Sequence, residues 1–536
     1  MAKQYTVRCK ELLPSGNGLV TFNNSNFEVA GVLPGEKCTI ELVYKKEGTG
    51  ARLVDVLELS KERVPVKCPV YDKCGGCNLQ HMSYDSELKF KSEKVKKLYQ
   101  DINVLQLPII KNDNFEHYRN KIYASFSFEK RGRGDIRQIA GMYEENTRKV
   151  VNCSDCLIQN PIANSIIKTI LDLMRLTGTR SYDPDTRTGV LRHAYIRVAQ
   201  KTGKVMLVLV TGVPEFKDKS RFVQTLTKKH PCIETIIHNI NPGKTGMILG
   251  NKDNVIFGKG YITDELCGCT FKISPKSFYQ VNPKQTEKLY NTAVDLADIQ
   301  PSDTVIDAYS GIGTISLIAA KKAGKVIGVE INKDAVRDAK ENAKINDATN
   351  VEFLEGDAGE FLEKDAKKTN PDIIFMDPPR SGSDEKFLNA VCTAAPERIV
   401  YISCSPETQV RDVKYLMQHG YSPKVIQPVD MFSRTGHVET IVLLGAQKVD
   451  GYVDIDLDVE KIENKGGRAT YAEIKKYIEE KHGLNVSSLY IGQIKTKFGL
   501  DKRPNYNVGE GKSKNLICPP DKEKAIKEAF EHFGLI

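Results

Sequence analysis

The chain has 536 residues, 40% of them apolar and 27% charged, with a formal net charge of +9. That length exceeds one core and predicts roughly three or four domains, and the positive balance favours polyanionic partners over acidic small molecules. No apolar run nears the ~18 residues of a membrane span and no signal-peptide pattern opens the chain. The expectation is therefore a cytoplasmic protein without a membrane partner, whose thirteen cysteines serve metal, catalysis or packing rather than disulfides.

Residues 1–62 alternate apolar and polar side chains between Gly, Asn and Pro turns, as in Gly18-Leu19-Val20-Thr21-Phe22 and Cys38-Thr39-Ile40-Glu41-Leu42-Val43. Short strands at that spacing predict a small β-barrel. Lys37, Lys45, Lys46, Arg52 and Arg63 make it basic, which suits nucleic acid. Cys68, Cys74 and Cys77 follow, with Gly75 and Gly76 between the last two. Three thiolates so close can converge on one metal centre, with Cys153 or Cys156 as a fourth ligand. Zinc and an iron–sulfur cluster would use the same sulfurs.

Ser86 to Tyr99 predicts a basic helix. Lys130-Arg131-Gly132-Arg133-Gly134 puts arginines in a turn between strand-like runs, a pattern suited to phosphates and equally to a solvated hairpin. Thr202-Gly203 divides two alternating runs and predicts another hairpin. Residues 63–275 are thus expected to form a central α+β region. Cys267 and Cys269 alternate with apolar neighbours and are expected on strands.

A helix over Thr286 to Ala297 leads into strands and helices in alternation from residue 276 to 446, predicting a mostly parallel sheet with ligands at the carboxyl ends of its strands. The first strand ends at Asp307 and enters Tyr309-Ser310-Gly311-Ile312-Gly313-Thr314 before a helix. That strand, turn and helix place backbone N–H groups and a carboxylate around a nucleoside. Ser316 stands where a third glycine would complete a dinucleotide fingerprint, so Asp307 suits instead the cationic S-adenosylmethionine. Glu330 ends the second strand, placed for ribose hydroxyls. Asp357 follows the third strand, Asp377-Pro378-Pro379-Arg380 the fourth, and Ser403-Cys404-Ser405-Pro406 the fifth. Residues 447–536 read as an acidic linker through Asp454 to Glu463, then amphipathic helices over Tyr471 to Lys481, Ser487 to Phe498 and Asp521 to Phe533. These would form a small helical extension.

Cys404 lies where a cofactor's methyl group would point. A nitrogen or oxygen acceptor needs no such nucleophile, whereas C5 of a pyrimidine does, because it is inert until a thiolate adds to C6. The scheme also needs a base for the C5 proton. Glu439 in His437-Val438-Glu439 is the choice and His437 its rival.

With Cys68/Cys74/Cys77, Cys156-Leu157-Ile158-Gln159, Ser277-Phe278-Tyr279-Gln280, Asp307 to Thr314, Asp377-Pro378-Pro379-Arg380, Ser403-Cys404-Ser405-Pro406 and His437-Val438-Glu439, the chain resembles the RNA uracil-5-methyltransferase family from residue 1 to about 445. The resemblance implies a TRAM-type, OB-like barrel over 1–62 and a class I Rossmann-like methyltransferase domain over 276–446. It implies a [4Fe-4S] cluster on Cys68, Cys74, Cys77 and Cys156, and cofactor contacts from Gln280, Tyr309, Thr314, Glu330, Asp357 and Asp377. Cys404 would be the nucleophile and Glu439 the base. A barrel together with a cluster implies a uridine of 23S ribosomal RNA as substrate, and the enzyme is expected to be a monomer. The alternatives are a tRNA uracil-5-methyltransferase and an amino-group nucleic-acid methyltransferase, the latter usually with an aromatic residue where Arg380 stands. The extension over 447–536 lies outside the resemblance.

Overall fold

A computed structural model describes residues 3–447 apart from 46, 47, 133, 134, 146 and 245, and then 471–484, 486, 488–498, 518–533 and 535. The chain divides into two compact units, Met1–Lys448 and Val449–Ile536.

In the first unit the alternating N-terminal residues form five antiparallel strands in the order Ser25–Val29, Gly18–Phe22, Gln4–Leu12, Lys37–Lys45, Gly48–Glu58. A register shift between Cys9 and Glu11 coils the sheet around Val7, Val20, Val29, Ile40 and Cys38. The two outer strands approach each other without pairing, so the expected closed barrel is a half-barrel. Its basic residues are largely neutralised: Arg52 meets Glu41 at 2.7 Å and Lys37 meets Glu58 at 3.4 Å. Arg63 turns inward to fully buried Glu36 at 2.5 Å. Lys46, like Arg133 and Gly134, lies outside the described residues.

A seven-stranded mixed sheet occupies the middle of the chain, in the order Lys252–Phe257, Ile233–Ile240, Val205–Thr211, Leu191–Val198, Lys121–Arg131, Asp135–Tyr143, Val150–Asn152. Helices Pro161–Thr177 and Lys219–Lys229 cover one face. Thr202-Gly203 lies in the expected hairpin, between Val198 and its partner Val205. Cys269 opens a strand as expected, but Cys267 does not. With φ of 50° at Cys267 and 69° at Gly268, the pair forms the turn between Ile262–Leu266 and Cys269–Ile273, because two positive φ values match the twist of a two-residue hairpin.

The third sheet carries the reactive strand ends. Its first five strands, Thr304–Asp307, Lys325–Glu330, Val351–Glu355, Ile373–Met376 and Arg398–Ser403, run parallel in the order 3-2-1-4-5. The seventh, Glu439–Ala446, is antiparallel and inserts between the fifth and the sixth, Tyr421–Val429. Period-two alternation sends Val305, Phe375, Val400 and Ile441 to one core and Ile306, Ile374, Tyr401 and Val442 to the other, as a sheet covered on both faces requires. One element departs from the sequence expectation. Leu105–Gln106, assigned to the central region, pairs parallel to the sixth strand as an edge, and the Gln106 side-chain amide donates to the Ser92 carbonyl of helix Tyr84–Leu98 at 3.0 Å. Two residues are too few to show a strand period, so only this pairing reveals them.

In the second unit, helices Tyr471–His482, Ser488–Lys497 and Pro520–His532 gather Ile474, Ile478, Ile491, Ile494, Ile526 and Phe530 into one core. The i,i+4 and i,i+3 spacings place these residues on one helical face each. Asp454 to Glu463 lies outside the described residues. Among the described residues no helix is long and apolar enough to cross a membrane.

Candidate active site

The first strand ends in Asp307, whose Oδ2 accepts a hydrogen bond from Ser316 at 2.6 Å. Ser316 therefore has a polar task where a dinucleotide fold would carry glycine. Between them the chain turns through Gly311 and Gly313, at φ 54° and 84°. Glu330 at the end of the second strand accepts from Gly311 N–H at 3.0 Å and from Asn332 N–H at 2.8 Å, so it fixes the turn. Asp307 Oδ1 and Ser310 Oγ are buried without a partner. Unpaired buried polar atoms are costly.

Thr314 begins the helix after the turn. Its side chain and that of Gln280 lie within hydrogen-bonding reach of the Tyr290 hydroxyl, which also senses Asp377 and Glu439. Tyr290 belongs to the apolar stripe of helix Pro283–Ala297 and reads from sequence as core. The same buried face carries Gln285 and Thr286, so no sequence signal set the Tyr290 hydroxyl apart. Tyr309 rests its ring 5.3 Å from Phe387 and its hydroxyl 3.5 Å from Ser383 Oγ. Asp357 is exposed, and its Oδ1 accepts from Glu360 N–H at 3.0 Å at the start of a helix.

Pairing of Ser403 with Thr440 brings the next residues, Cys404 and Glu439, together at the end of the sheet. Glu439 is only 2% exposed. Burial, and then the charge of Asp377, push its carboxyl up to about 8 against the opposing Arg380. Burial and Asp307 raise Asp377 to about 7, and burial raises Asp307 to about 6. Three carboxylates crowd one space with Arg380 at its edge, so the site favours an incoming cation. The Cys404 thiol is pushed up to about 11, first by burial and next by Glu439, while Arg380 pulls it back through its charge and a hydrogen bond. His437 stands at the mouth. Burial, together with the positive charges of Arg380, Lys94 and Lys91, holds its imidazole below the usual range.

A cavity of about 290 Å³ opens onto Cys404, lined also by Arg380, Lys94, His437, Pro14, Ser15 and Asn78. The loop before Glu439 is held by a buried network. Lys91, fully buried, donates to Glu87 at 2.7 Å, to Asp430 at 2.6 Å and to the Phe432 carbonyl at 3.2 Å. Tyr84 and Ser433 also donate to Asp430, each at 2.6 Å. The Lys91–Glu87 pair is a local i,i+4 contact and Ser433 lies three residues from Asp430, but the contacts of Lys91 and Tyr84 with Asp430 and Phe432 were not legible in the sequence, because they join residues some 340 positions apart.

The cysteines form a separate site. Cys68, Cys74, Cys77, Cys153 and Cys156 share a cavity of about 50 Å³ with Arg119 and Met142. A hydrogen bond from the Cys153 thiol pulls Cys156 down to about 6, towards thiolate. Among the described residues no three His, Cys, Asp or Glu side chains converge on a single-ion position.

A family model described as tRNA (Uracil-5-)-methyltransferase matches residues 83–447. Relatives named as uncharacterized RNA methyltransferases include one from Halalkalibacterium halodurans, 38% identical over 82% of this chain and 96% of the relative. Another, from Caldanaerobacter subterraneus, is 39% identical over 83% and 98%. Among solved structures, a Pyrococcus abyssi tRNA (uracil-54, C5)-methyltransferase in complex with S-adenosyl-L-homocysteine matches with a TM-score of 0.67. The identity is 25%, over 82% of this chain and 99% of that one.

Proposed function

The chain belongs to the tRNA (uracil-5-)-methyltransferase family of S-adenosylmethionine-dependent RNA enzymes, and we propose that it methylates C5 of a uridine in 23S ribosomal RNA through a covalent bond from Cys404 to C6. The observation that carries this reading is the meeting of Cys404 and Glu439 beside two further carboxyls, Asp377 and Asp307, at one sheet end. Cys404 Sγ adds to C6, the C5=C6 π electrons move towards O4, and C5 becomes nucleophilic. S-adenosylmethionine supplies the methyl group as a cationic electrophile. Glu439 then takes the C5 proton, the ring electrons return, and the Sγ–C6 bond breaks to restore the thiolate. Glu439 is preferred over His437 because it is buried and faces Cys404 directly, and Arg380 steadies the thiolate through the hydrogen bond it already makes.

Asp307 and Asp377 supply negative charge for the cofactor, while Gln280, Tyr309, Thr314, Glu330 and Asp357 bind and orient it. The unpartnered Asp307 Oδ1 and Ser310 Oγ fit this role. Reaching C6 of a stacked base requires the uridine to be flipped out or single-stranded. For the cysteine site, the donor set fits a [4Fe-4S] cluster on Cys68, Cys74, Cys77 and Cys156. Sulfurs that ring a cavity rather than converge suit a cluster better than one zinc ion. Such a cluster would cross-link two distant segments of chain, and iron and sulfide content tests it. Residues 1–62 are read as an RNA-holding module, 63–275 as the cluster-bearing region, 276–446 as the methyltransferase domain and 447–536 as an added extension.

The half-barrel and cysteine site together favour ribosomal RNA, whereas likeness to the Pyrococcus abyssi protein favours tRNA as the second reading. Mass-spectrometric mapping of 5-methyluridine in both RNAs, from cells with and without the gene, decides between them. Replacing Cys404 by Ala should abolish turnover and leave cofactor binding intact, and RNA containing 5-fluorouridine should form a stable adduct at Cys404. An active Cys404→Ala enzyme would overturn the covalent reading in favour of an amino-group methyltransferase.

A further inference from the structure

Asn78 directly follows Cys77, on a segment the chemistry above leaves without a task. Its side-chain amide joins two parts of the chain that sequence holds far apart. Nδ2 donates to the Ser15 carbonyl at 2.7 Å, and Oδ1 accepts from the Gly436 N–H at 2.9 Å. The backbone N–H groups of Asn78 and Leu79 both donate to the Arg434 carbonyl, each at 3.1 Å. Ser15 lies in the turn between the first two strands of the N-terminal sheet, and Gly436 stands three residues before Glu439. Ser15, Asn78 and Gly436 all line the cavity that opens onto Cys404.

The contact is closely fitted. A Cβ at Gly436 would fall 2.9 Å from the Ser15 carbonyl oxygen, so a side chain there would force the two backbones apart. Arg434, two residues earlier, is held at φ 70° with its guanidinium 4.3 Å from the Phe115 ring centre. That left-handed backbone persists because its surroundings hold it.

We propose that Asn78 is a positioning residue of the methylation reaction: its amide clasps the Pro14–Ser15 turn of the N-terminal sheet to the loop before Glu439, making that turn a wall of the cavity that orients the target base. This rests on the reading of the cavity as the site of the base. The N-terminal sheet thereby shapes the reaction chamber in addition to holding RNA at a distance. Because Asn78 adjoins Cys77, the clasp also links the cysteine site to the chamber through a single peptide bond.

The test uses the full chain, with Asn78→Ala, Gly436→Ala, the double variant and Cys404→Ala in parallel. The substrate is whichever transcribed RNA, 23S or tRNA, the wild type methylates, and its 5-fluorouridine form reports adduct formation. Loss of the two hydrogen bonds in Asn78→Ala should lower kcat/KM for RNA about tenfold and slow adduct formation by a similar factor. S-adenosylmethionine affinity and metal content should stay at wild-type levels. Gly436→Ala should reproduce this with Asn78 intact, and the double variant should be little worse than either single one, because both break the same wall. Wild-type kcat/KM and adduct rates in both single variants would overturn the proposal. So would a loss of metal or of cofactor binding in Asn78→Ala that accounts for the whole defect, since that is the mark of a scaffold residue. An active Cys404→Ala enzyme would instead overturn the covalent reading, with the clasp still judged by its own kcat/KM.

Discussion

Alkylation of Cys404 in the free enzyme gives a quantitative check on the electrostatics of the site. An ordinary cysteine ionises near 9.0, whereas this thiol is pushed up to about 11. At pH 8 that difference leaves about a hundredfold less thiolate. The more basic thiolate is intrinsically more nucleophilic, and with a Brønsted coefficient of about 0.4–0.5 it regains roughly eightfold. The net expectation is alkylation by iodoacetamide roughly tenfold slower than a free thiol at pH 8, still rising with pH above 9, where a free thiol levels off. Glu439→Gln refines the test. Glu439 ionises near 8, so its charge opposes the thiolate only above that pH. The substitution should leave alkylation nearly unchanged at pH 7 and speed it severalfold at pH 9, while methylation is lost. Peptide mass spectrometry isolates the Cys404 signal from the other twelve cysteines. A wild-type rate at pH 8 equal to that of a free thiol, or a slower rate in Glu439→Gln at pH 9, would refute the reasoning.

Three further outcomes are expected. Lys91→Met removes the cation between buried Glu87 and Asp430 and should cost about 3–5 kcal/mol; a loss below about 1 kcal/mol in urea titration would mean the network relaxes freely. Gly313→Ala places a Cβ 2.5 Å from the Phe353 ring at φ 84° and should weaken S-adenosylmethionine binding at least tenfold by calorimetry, whereas unchanged affinity would dissociate the turn from the cofactor. Asp377 titrates near 7 in the fold against 3.8 ordinarily. Its contribution to stability is therefore full below about pH 4 and is lost as pH rises through 7. Asp377→Asn should flatten the free enzyme's melting temperature between pH 4 and 8 and weaken cofactor binding, and an unchanged pH slope would count against the raised carboxyl.

The sequence by itself determined the elements whose signal is local. Strand and helix alternation from Thr304 onward follows from periods of two and 3.6 residues. The turn at Gly311 and Gly313 follows from backbone freedom, and reactive groups cluster at 307, 357, 377 and 404 because a parallel sheet presents its carboxyl ends together. The meeting of Glu439 with Cys404 was implied by the family resemblance, and the antiparallel insertion of the seventh strand agrees with it. The tertiary structure alone decided the surroundings of the pair, because burial rather than residue type raises both groups. The inward turn of Arg63 onto Glu36, the two-residue edge at Leu105–Gln106, the hydroxyl of Tyr290 and the amide of Asn78 carry no periodic or compositional mark. Their roles arise from register and packing between segments that the chain itself keeps tens to hundreds of residues apart.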